Sequence, residues 1–121
     1  MLIPARTLRQ IEEKNFSDIN TLEDIPGFAN RIYDARKFFS TLNRLPEEVR
    51  KGVLPDPEII LKLSGRITRV AISDEIGSDY IEIGFEIEDT RSRVVVIRGN
   101  EWAVWHLRSR LEIDEFREDI L

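Results

Sequence analysis

The segment that decides the fold is 80–98, which reads YIEIGFEIE at 80–88, DTRS at 89–92 and RVVVIR at 93–98. In its first part, apolar residues alternate with acidic or small ones, which is the period of two expected of a β-strand with one buried face. The middle part consists of turn formers, and the last part is β-branched and almost wholly apolar. The segment therefore predicts a β-hairpin. The residues predicted on its buried face are Ile81, Ile83, Phe85 and Ile87.

The composition is that of a soluble, folded protein. The 121 residues are 41% apolar and 34% charged, which is sufficient for one hydrophobic core. The chain has no cysteine, so it can form neither a disulfide nor a thiolate metal site. Its start lacks the apolar segment of a signal peptide, and no apolar run reaches the ~18 residues of a membrane span. We therefore expect a cytoplasmic protein without membrane contact, and its many Ile, Glu and Arg residues are typical of a thermophile.

The first half of the chain predicts helices. Residues 4–15 favour a short helix with Pro4 in its first turn. A second helix is expected to begin near Gly27 and to end near residue 45, because the proline that follows cannot continue it. The predicted buried seam of this second helix has helical spacing and consists of Phe28, Ile32, Ala35, Phe39 and Leu42.

The second half predicts an antiparallel sheet and a final helix. A first strand region at 58–72, bent at Gly65, is followed by a turn at 73–79 and by the hairpin. Asn100 favours the N-cap of a helix that starts at Glu101. The expected fold class is α+β, with two N-terminal helices, a three- to four-stranded antiparallel β-meander and a C-terminal helix. We expect one domain over 1–121, with a helical part at 4–51, a linker at 52–57, the sheet at 58–98 and the C-terminal helix at 100–120.

The C-terminal helix has apolar residues on two sides. One stripe contains Val104, Leu107 and Leu111, and a helix of this kind is usually packed on both sides. One side is expected to lie on the sheet, and the other to contact the N-terminal helices or a second subunit. The residues predicted for an oligomer or partner interface are Trp102, Trp105, Ile113, Phe116 and Ile120, with Ser109 in the same stripe.

Signatures of catalysis and of metal or cofactor binding are absent from the sequence. His106 is the only histidine, and it has no cysteine to share a metal with. The acids around Gly77 lack the spacing of a calcium loop. The chain has no phosphate-binding loop, no dinucleotide fingerprint and no Gly-x-Ser-x-Gly turn. We therefore predict a protein that is not an enzyme and that binds no metal and no cofactor.

Basic and aromatic residues around the sheet define a candidate nucleic-acid site. Single-stranded nucleic acid needs cations for its phosphates and flat aromatic rings for its bases. The alternative is that the acids Glu82, Glu86 and Glu88, which share the outer face of the middle strand, form cross-strand ion pairs with the same arginines. The candidate binding residues are Arg66, Arg69, Tyr80, Arg91, Arg93 and Arg98.

The junction between the last strand and the last helix resembles a known family. The run RVVVIR at 93–98, then Gly99, Asn100, Glu101 and Trp102, and then Leu107 and LEID at 111–114 resembles the end of the transcriptional positive cofactor 4 family. In that family a final strand leads into a helix that opens with an acid–tryptophan pair.

The order of elements is also similar to the ThermoDBP-type single-stranded DNA-binding proteins of archaeal thermophiles, which have helical regions ahead of a sheet and a final helix. The two resemblances cover roughly residues 60–121. They imply binding of single-stranded DNA through a sheet, and a homodimer. The chain departs from the first family in its acidic middle strand and in lacking the basic segment ahead of the sheet.

These observations favour a non-enzymatic homodimer that binds single-stranded nucleic acid. The net charge of −5 repels a polyanion at long range, but it is compatible with a local basic patch. The alternative is a protein-interaction or assembly module, such as an adaptor or a small viral structural or inhibitory protein. In that case the C-terminal helix makes the contact.

Overall fold

The computed structural model of the chain describes residues 11–13, 21–25, 27–28, 31–56, 58–62, 65–76, 79–88 and 92–120. At 11–13, 61–62, 74–76 and 118–120 only the backbone is described. The described strands form one antiparallel sheet of five, in the order β1-β5-β4-β3-β2. They are β1 (Ile11–Glu13), β2 (Ile32–Asp34), β3 (Arg66–Ile76), β4 (Tyr80–Glu88) and β5 (Ser92–Asn100).

The predicted hairpin is confirmed. Strands β4 and β5 pair without a register shift from Tyr80 opposite Asn100 to Glu88 opposite Ser92. The alternating apolar residues of β4 are wholly buried, because they point to the face of the sheet that the helices cover. We call this the inner face and the opposite one the outer face.

Four α-helices accompany the sheet in the described residues. The longest, α4, begins after Asn100, whose side-chain Oδ1 accepts a hydrogen bond from the Trp102 backbone N–H at 3.1 Å. This confirms the predicted N-cap. Helices α1, α2 and α4 cover the inner face. The bounds are α1 (Ala35–Asn43), α2 (Glu47–Val53), α3 (Glu58–Lys62) and α4 (Glu101–Ile120), and a 3-10 helix spans Leu22–Asp24.

The inner core depends on close packing between helices and sheet. Phe85 of β4 contacts two rings of α1: its centroid lies 6.2 Å from that of Phe38, edge to face, and 6.3 Å from that of Phe39, stacked. Helices α2 and α4 approach so closely that a Cβ atom on Gly52 would lie 2.4 Å from the Cβ of Ala103. This contact therefore requires glycine on α2, and it fixes the position of the first turns of α4.

A second hydrophobic core lies on the outer face. Residues 21–25 and 27–28, here called the covering segment, contribute Leu22, Ile25 and Phe28 to it. Gly84 of β4 makes room for them, since a Cβ at this position would lie 3.0 Å from Leu22 Cδ2. The central strand β4 is therefore buried on both faces. The sheet residues of this core are Ala71, Val94 and Val96, with Ile32 beside them.

The predicted α+β class is confirmed, with an antiparallel sheet and a C-terminal helix. The helix predicted over 4–15 is wrong at 11–13, where β1 pairs with β5; the other residues of this prediction lie outside the described part. The free edge of β5 offers backbone hydrogen bonds, and these outweigh the weak preference of so short a helix.

The predicted start of the second helix near Gly27 is also wrong. Residues 32–34 form β2, and α1 begins only at Ala35. The carboxylate of Asp34 caps α1 by accepting hydrogen bonds from the backbone N–H groups of Arg36, at 2.9 Å, and Lys37, at 3.4 Å. The seam assigned to one helix therefore divides: Phe28 and Ile32 belong to the outer core, whereas Ala35 and Leu42 belong to the inner one.

The first strand region was predicted too early in the chain. Residues 58–62 form the short helix α3, and β3 runs from Arg66 to Ile76, so it includes four residues assigned to the turn at 73–79. Gly65 has a φ of 93°, a left-handed conformation that suits glycine. It marks a break before the strand instead of a bend within it. Helix α2 likewise extends to Val53, into the predicted linker.

Candidate functional site

The arginine at the centre of the predicted site is held by two carboxylates. Arg69 donates from Nε to Glu86 Oε1 at 3.1 Å and from Nη2 to Glu86 Oε2 at 2.7 Å. Its Nη2 also donates to Glu23 Oε2 at 2.7 Å, from the covering segment. Glu86 accepts two more hydrogen bonds, from the Leu22 backbone N–H at 3.0 Å and from the Thr68 hydroxyl at 3.3 Å. The network ties the covering segment to the sheet.

The electrostatics of this network follow from its geometry. The hydrogen bonds from Arg69 lower the pKa of the Glu23 carboxyl to about 2, from its ordinary 4.5. Hydrogen bonds to Glu23 and Glu86 in turn raise the pKa of Arg69. Each charge stabilises the other. The positive charge of Arg69 is therefore compensated within the protein, as the alternative interpretation of the sequence expected.

Of the other predicted arginines in the described residues, Arg66 and Arg98 are on the outer face with Arg69, and Arg93 is on the inner face. Arg66 lies on the outer face, where its Nη2 is 3.6 Å from Glu88 Oε2, and both side chains are exposed. Arg93 lies opposite Ile87 in the register, so it belongs to the inner face, and it has an interaction of its own. Arg91 lies outside the described residues.

Tyr80 and Arg98 come together at the far end of the sheet. The guanidinium carbon of Arg98 lies 4.6 Å from the centroid of the Tyr80 ring, which is a cation–π contact. Arg66 pairs with Glu88, eight residues from Tyr80 along β4, and a strand rises ~3.3 Å per residue, so about 26 Å separates the two ends. The covering segment lies between them. The predicted binding residues therefore form separate groups instead of one continuous strip.

Helix α4 displays the largest exposed apolar surface among the described residues. Its buried side consists of Ala103, Val104, Leu107 and Leu111, all wholly buried. The exposed fractions of the large apolar side chains opposite are 49% for Trp102, 40% for Trp105, 45% for Ile113 and 65% for Phe116. We call these four residues the solvent face of α4. The side chain of Ile120, which was predicted with them, lies outside the described part.

The C-terminal half of α4 is held against the body by ion pairs. Arg44 Nη2 donates to Asp114 Oδ2 at 2.6 Å, and the hydroxyl of the buried Thr41 donates to the same oxygen at 3.2 Å. Arg31 pairs with Glu112. The side of α4 that contacts α1 is therefore polar beyond Leu111. These contacts fix the rotation of the helix, so that the solvent face points away from the body.

Described residues line two clefts that lie next to α1. One, of about 460 Å³, is mainly apolar and is lined by residues of α1, α2 and α3, including Phe39, Leu42 and Ile60. The other, of about 550 Å³, lies between α1 and α4 and combines four basic side chains with two acidic ones. Arg44 of this second cleft is already paired with Asp114. The excess of positive charge in the cleft is therefore smaller than the residue types indicate.

No cluster of metal-ligating side chains is found among the described residues. The exposed His106 instead lies edge to face against Trp102, with the ring centroids 5.7 Å apart. In the same part of the chain, no helix is long and apolar enough to cross a membrane.

Sequence reasoning missed the buried role of Glu86 and of the covering segment, although two signals were present. Gly84 interrupts the outer face of β4, and glycine within a strand often marks the close approach of another segment. Leu22, Ile25 and Phe28 are apolar residues at intervals of three. The prediction placed Phe28 in the second helix and assigned no role to the other two. The alternation of side chains along β5 was a further signal. Arg93 and Arg98 are five residues apart, an odd number, so they must lie on opposite faces of the strand.

No protein-family model, no curated protein and no solved structure matches this chain.

The network around Glu86 predicts unequal roles for two neighbouring arginines. Substitution Arg69→Ala leaves the buried Glu86 carboxylate without its main partner, and we expect it to lower the free energy of unfolding by about 2–3 kcal/mol. The matched control Arg66→Ala removes an exposed pair and should cost about 0.5 kcal/mol or less. Urea unfolding followed by circular dichroism measures both. Equal effects of the two substitutions would contradict the proposed importance of the network.

The lowered pKa of Glu23 predicts a pH-dependent contribution to stability. A carboxyl whose folded pKa is about 2, against an ordinary 4.5, stabilises the fold above pH 4.5, and this contribution is lost as the pH falls through 2. The difference in unfolding free energy between wild type and Glu23→Gln should therefore be constant above about pH 5 and should shrink towards zero near pH 2. Glu48→Gln, an exposed change in α2, is the control. A difference that does not depend on pH would refute the assignment.

Proposed function

We propose that this chain is an assembly module that associates with a second copy of itself through the solvent face of α4. The observation that supports this proposal is the row of four large apolar side chains on that face, all at least 40% exposed. Large exposed apolar patches on soluble proteins usually mark interaction sites. The fold does not need these side chains, because the opposite side of the same helix already supplies its contacts to the core.

The residue types favour a protein partner. Trp residues are enriched among the residues that dominate binding energy in protein interfaces, and aromatic residues in general are enriched at such interfaces. Burying apolar area contributes roughly 25 cal/mol per Å². The ring of Trp105 is also held in place, because the Arg108 guanidinium lies 4.9 Å from its centroid. A side chain that is already ordered loses less entropy when it binds.

The charges beside the solvent face favour a second copy as the partner. Glu112 lies on one side of the stripe, and Arg110 and Arg117 lie on the other. A surface with an apolar centre and flanks of opposite charge is complementary to a copy of itself. The net charge of −5 opposes association at long range, so the contact must be favourable at short range.

Phe116 offers the most direct test, because it is the most exposed member of the stripe at 65%. We expect wild type to be dimeric in sedimentation analysis. Substitution Phe116→Glu should weaken self-association by about thirtyfold or more, the effect of removing an aromatic residue that dominates an interface. The far-ultraviolet spectrum should not change, since this side chain is outside the core.

Asn43→Glu is the matched control, since it adds the same charge at an exposed position at the end of α1, away from α4. It should leave the dissociation constant unchanged. A wild-type chain that stays monomeric at the highest soluble concentration would overturn the proposal, as would a Phe116→Glu variant that associates as wild type does.

A second candidate function is binding of single-stranded nucleic acid at the end of the sheet. The observation in its favour is the stack of Arg98 on Tyr80, which combines a cation with an aromatic ring. Bases stack on such platforms and phosphates pair with the cation. With Arg69 paired to two acids, this site offers fewer contacts than the sequence predicted, and we rank it second.

A labelled single-stranded oligonucleotide, followed by fluorescence polarisation, tests this candidate. Binding should be detectable at low salt. A plot of the logarithm of the association constant against the logarithm of the salt concentration should have a slope of about −0.7 for each phosphate neutralised. Arg98→Ala should abolish it, whereas Arg66→Ala, at the opposite end of the sheet, should not. No change in polarisation at low salt would exclude the nucleic-acid function.

A further inference from the structure

The exposed residues of α4 follow the repeat of a two-stranded coiled coil. Trp102, His106, Ser109, Ile113 and Phe116 are spaced by four, three, four and three residues, and all five are exposed. This is the heptad spacing that keeps one seam of a helix against a partner helix. The repeat lies on the side of α4 that faces away from the core, so it has no function within the described fold.

The positions beside this seam carry the charges that select an orientation. In heptad terms, Arg110 and Arg117 lie on one flank, and Trp105 and Glu112 lie on the other. Trp105 is already in contact with a guanidinium of its own helix, that of Arg108. One flank therefore carries two arginines, of which Arg110 has its Nε 3.6 Å from Asp114 Oδ1 of its own helix. The other flank combines an acid with an aromatic ring that binds cations.

Symmetry then distinguishes the two ways in which identical helices can pair. A twofold axis parallel to the helices brings the basic flank of each copy against the acidic flank of the other. A twofold axis perpendicular to them makes the pair antiparallel and brings each flank against its own equivalent, so that the two arginines of one copy lie along the two arginines of the other. Like charges held opposite each other are destabilising.

We infer that two copies of this chain pair through α4 in parallel, about a twofold axis that runs along the helices. This inference rests on the proposed function, because it specifies the geometry of the same interface. Heptad geometry sets Glu112 beside Arg117 of the second copy, where an ion pair forms twice by symmetry. It also sets Trp105 beside Arg110 of the second copy, where a cation–π contact forms.

Glu112 is positioned for this pairing by its own subunit. Arg31 donates to its Oε1, and the Nε of Arg108 lies 3.6 Å from the same oxygen. A carboxylate can accept several hydrogen bonds at once, so these contacts orient the group and leave it able to accept from a further guanidinium. The exposed side chain of Arg117 lies five residues further along α4.

Disulfide trapping tests the orientation, because the chain has no cysteine of its own. In a parallel pair, every seam residue lies next to its own equivalent across the axis. His106→Cys and Ile113→Cys should therefore both form a disulfide-linked dimer when oxidised separately, with the Cα atoms within the ~4.4–6.8 Å that a disulfide allows. In an antiparallel pair this is impossible. The two positions are about 10 Å apart along the helix, and only one of them can lie on a perpendicular axis.

The experiment is run at a concentration at which sedimentation shows each variant to be dimeric. Asn43→Cys, which is exposed at the end of α1 and away from α4, is the control for non-specific oxidation and should remain unlinked. Dimers in which only one of the two seam positions cross-links, or neither, would overturn the parallel arrangement while leaving self-association intact. A chain that is monomeric at all concentrations overturns the proposed function itself, so the two failures are distinguishable.

Discussion

The arrangement of the whole molecule depends on how one carboxylate, that of Glu86, is buried. It lies on the outer face of the central strand, beneath the covering segment, where a charge without partners would be expensive. A backbone N–H, a hydroxyl and the guanidinium of Arg69 supply its hydrogen bonds. Because these partners satisfy the charge, the covering segment can place its apolar side chains over Gly84 and close the outer face. Strand β4 is therefore buried on both faces, with one hydrophobic core on each side, and its outer face is not exposed to solvent.

The same interaction decides where a binding function can lie. A sheet that recognises nucleic acid needs an open face with uncompensated cations. Here the covering segment buries the centre of the outer face, and Arg69 links that segment to the sheet through its hydrogen bonds to Glu23 and Glu86. Apart from the two clefts next to α1, the surfaces that remain among the described residues are the end of the sheet, with Arg98 on Tyr80, and the solvent face of α4. Only the second is apolar over several helical turns, and this difference in chemistry is the reason for ranking self-association above nucleic-acid binding.

The sequence predicted those elements whose local pattern and tertiary setting agree. The alternation in β4, the β-branched run in β5 and the Asn100 cap identified the hairpin and the start of α4 correctly. It failed at the short elements: β1, β2 and α3 span only three to five residues each, and their conformation is decided by what they pair with. Alternation also made Glu86 look like a solvent-exposed acid, because periodicity says which face a residue is on and not whether a distant segment covers that face. The sequence predicted the two apolar sides of α4. It did not show which side is buried, so the charged residues beside the exposed side could not be identified from the sequence.

The composition of the proposed seam indicates what kind of interface it forms. A seam made only of leucine and isoleucine would bind tightly and tolerate several registers, whereas polar residues at seam positions lower stability and fix register and oligomeric state. Here His106 and Ser109 occupy the middle of the seam, with aromatic residues at both ends. In the proposed dimer, Trp102 and Phe116 would supply the affinity, and the polar centre with the charged flanks would supply the alignment. Asp114 and Glu112 also fix α4 to its own subunit. The orientation of the two α4 helices in the proposed dimer would therefore determine how the two subunits are placed, including the end of each sheet at which Arg98 contacts Tyr80.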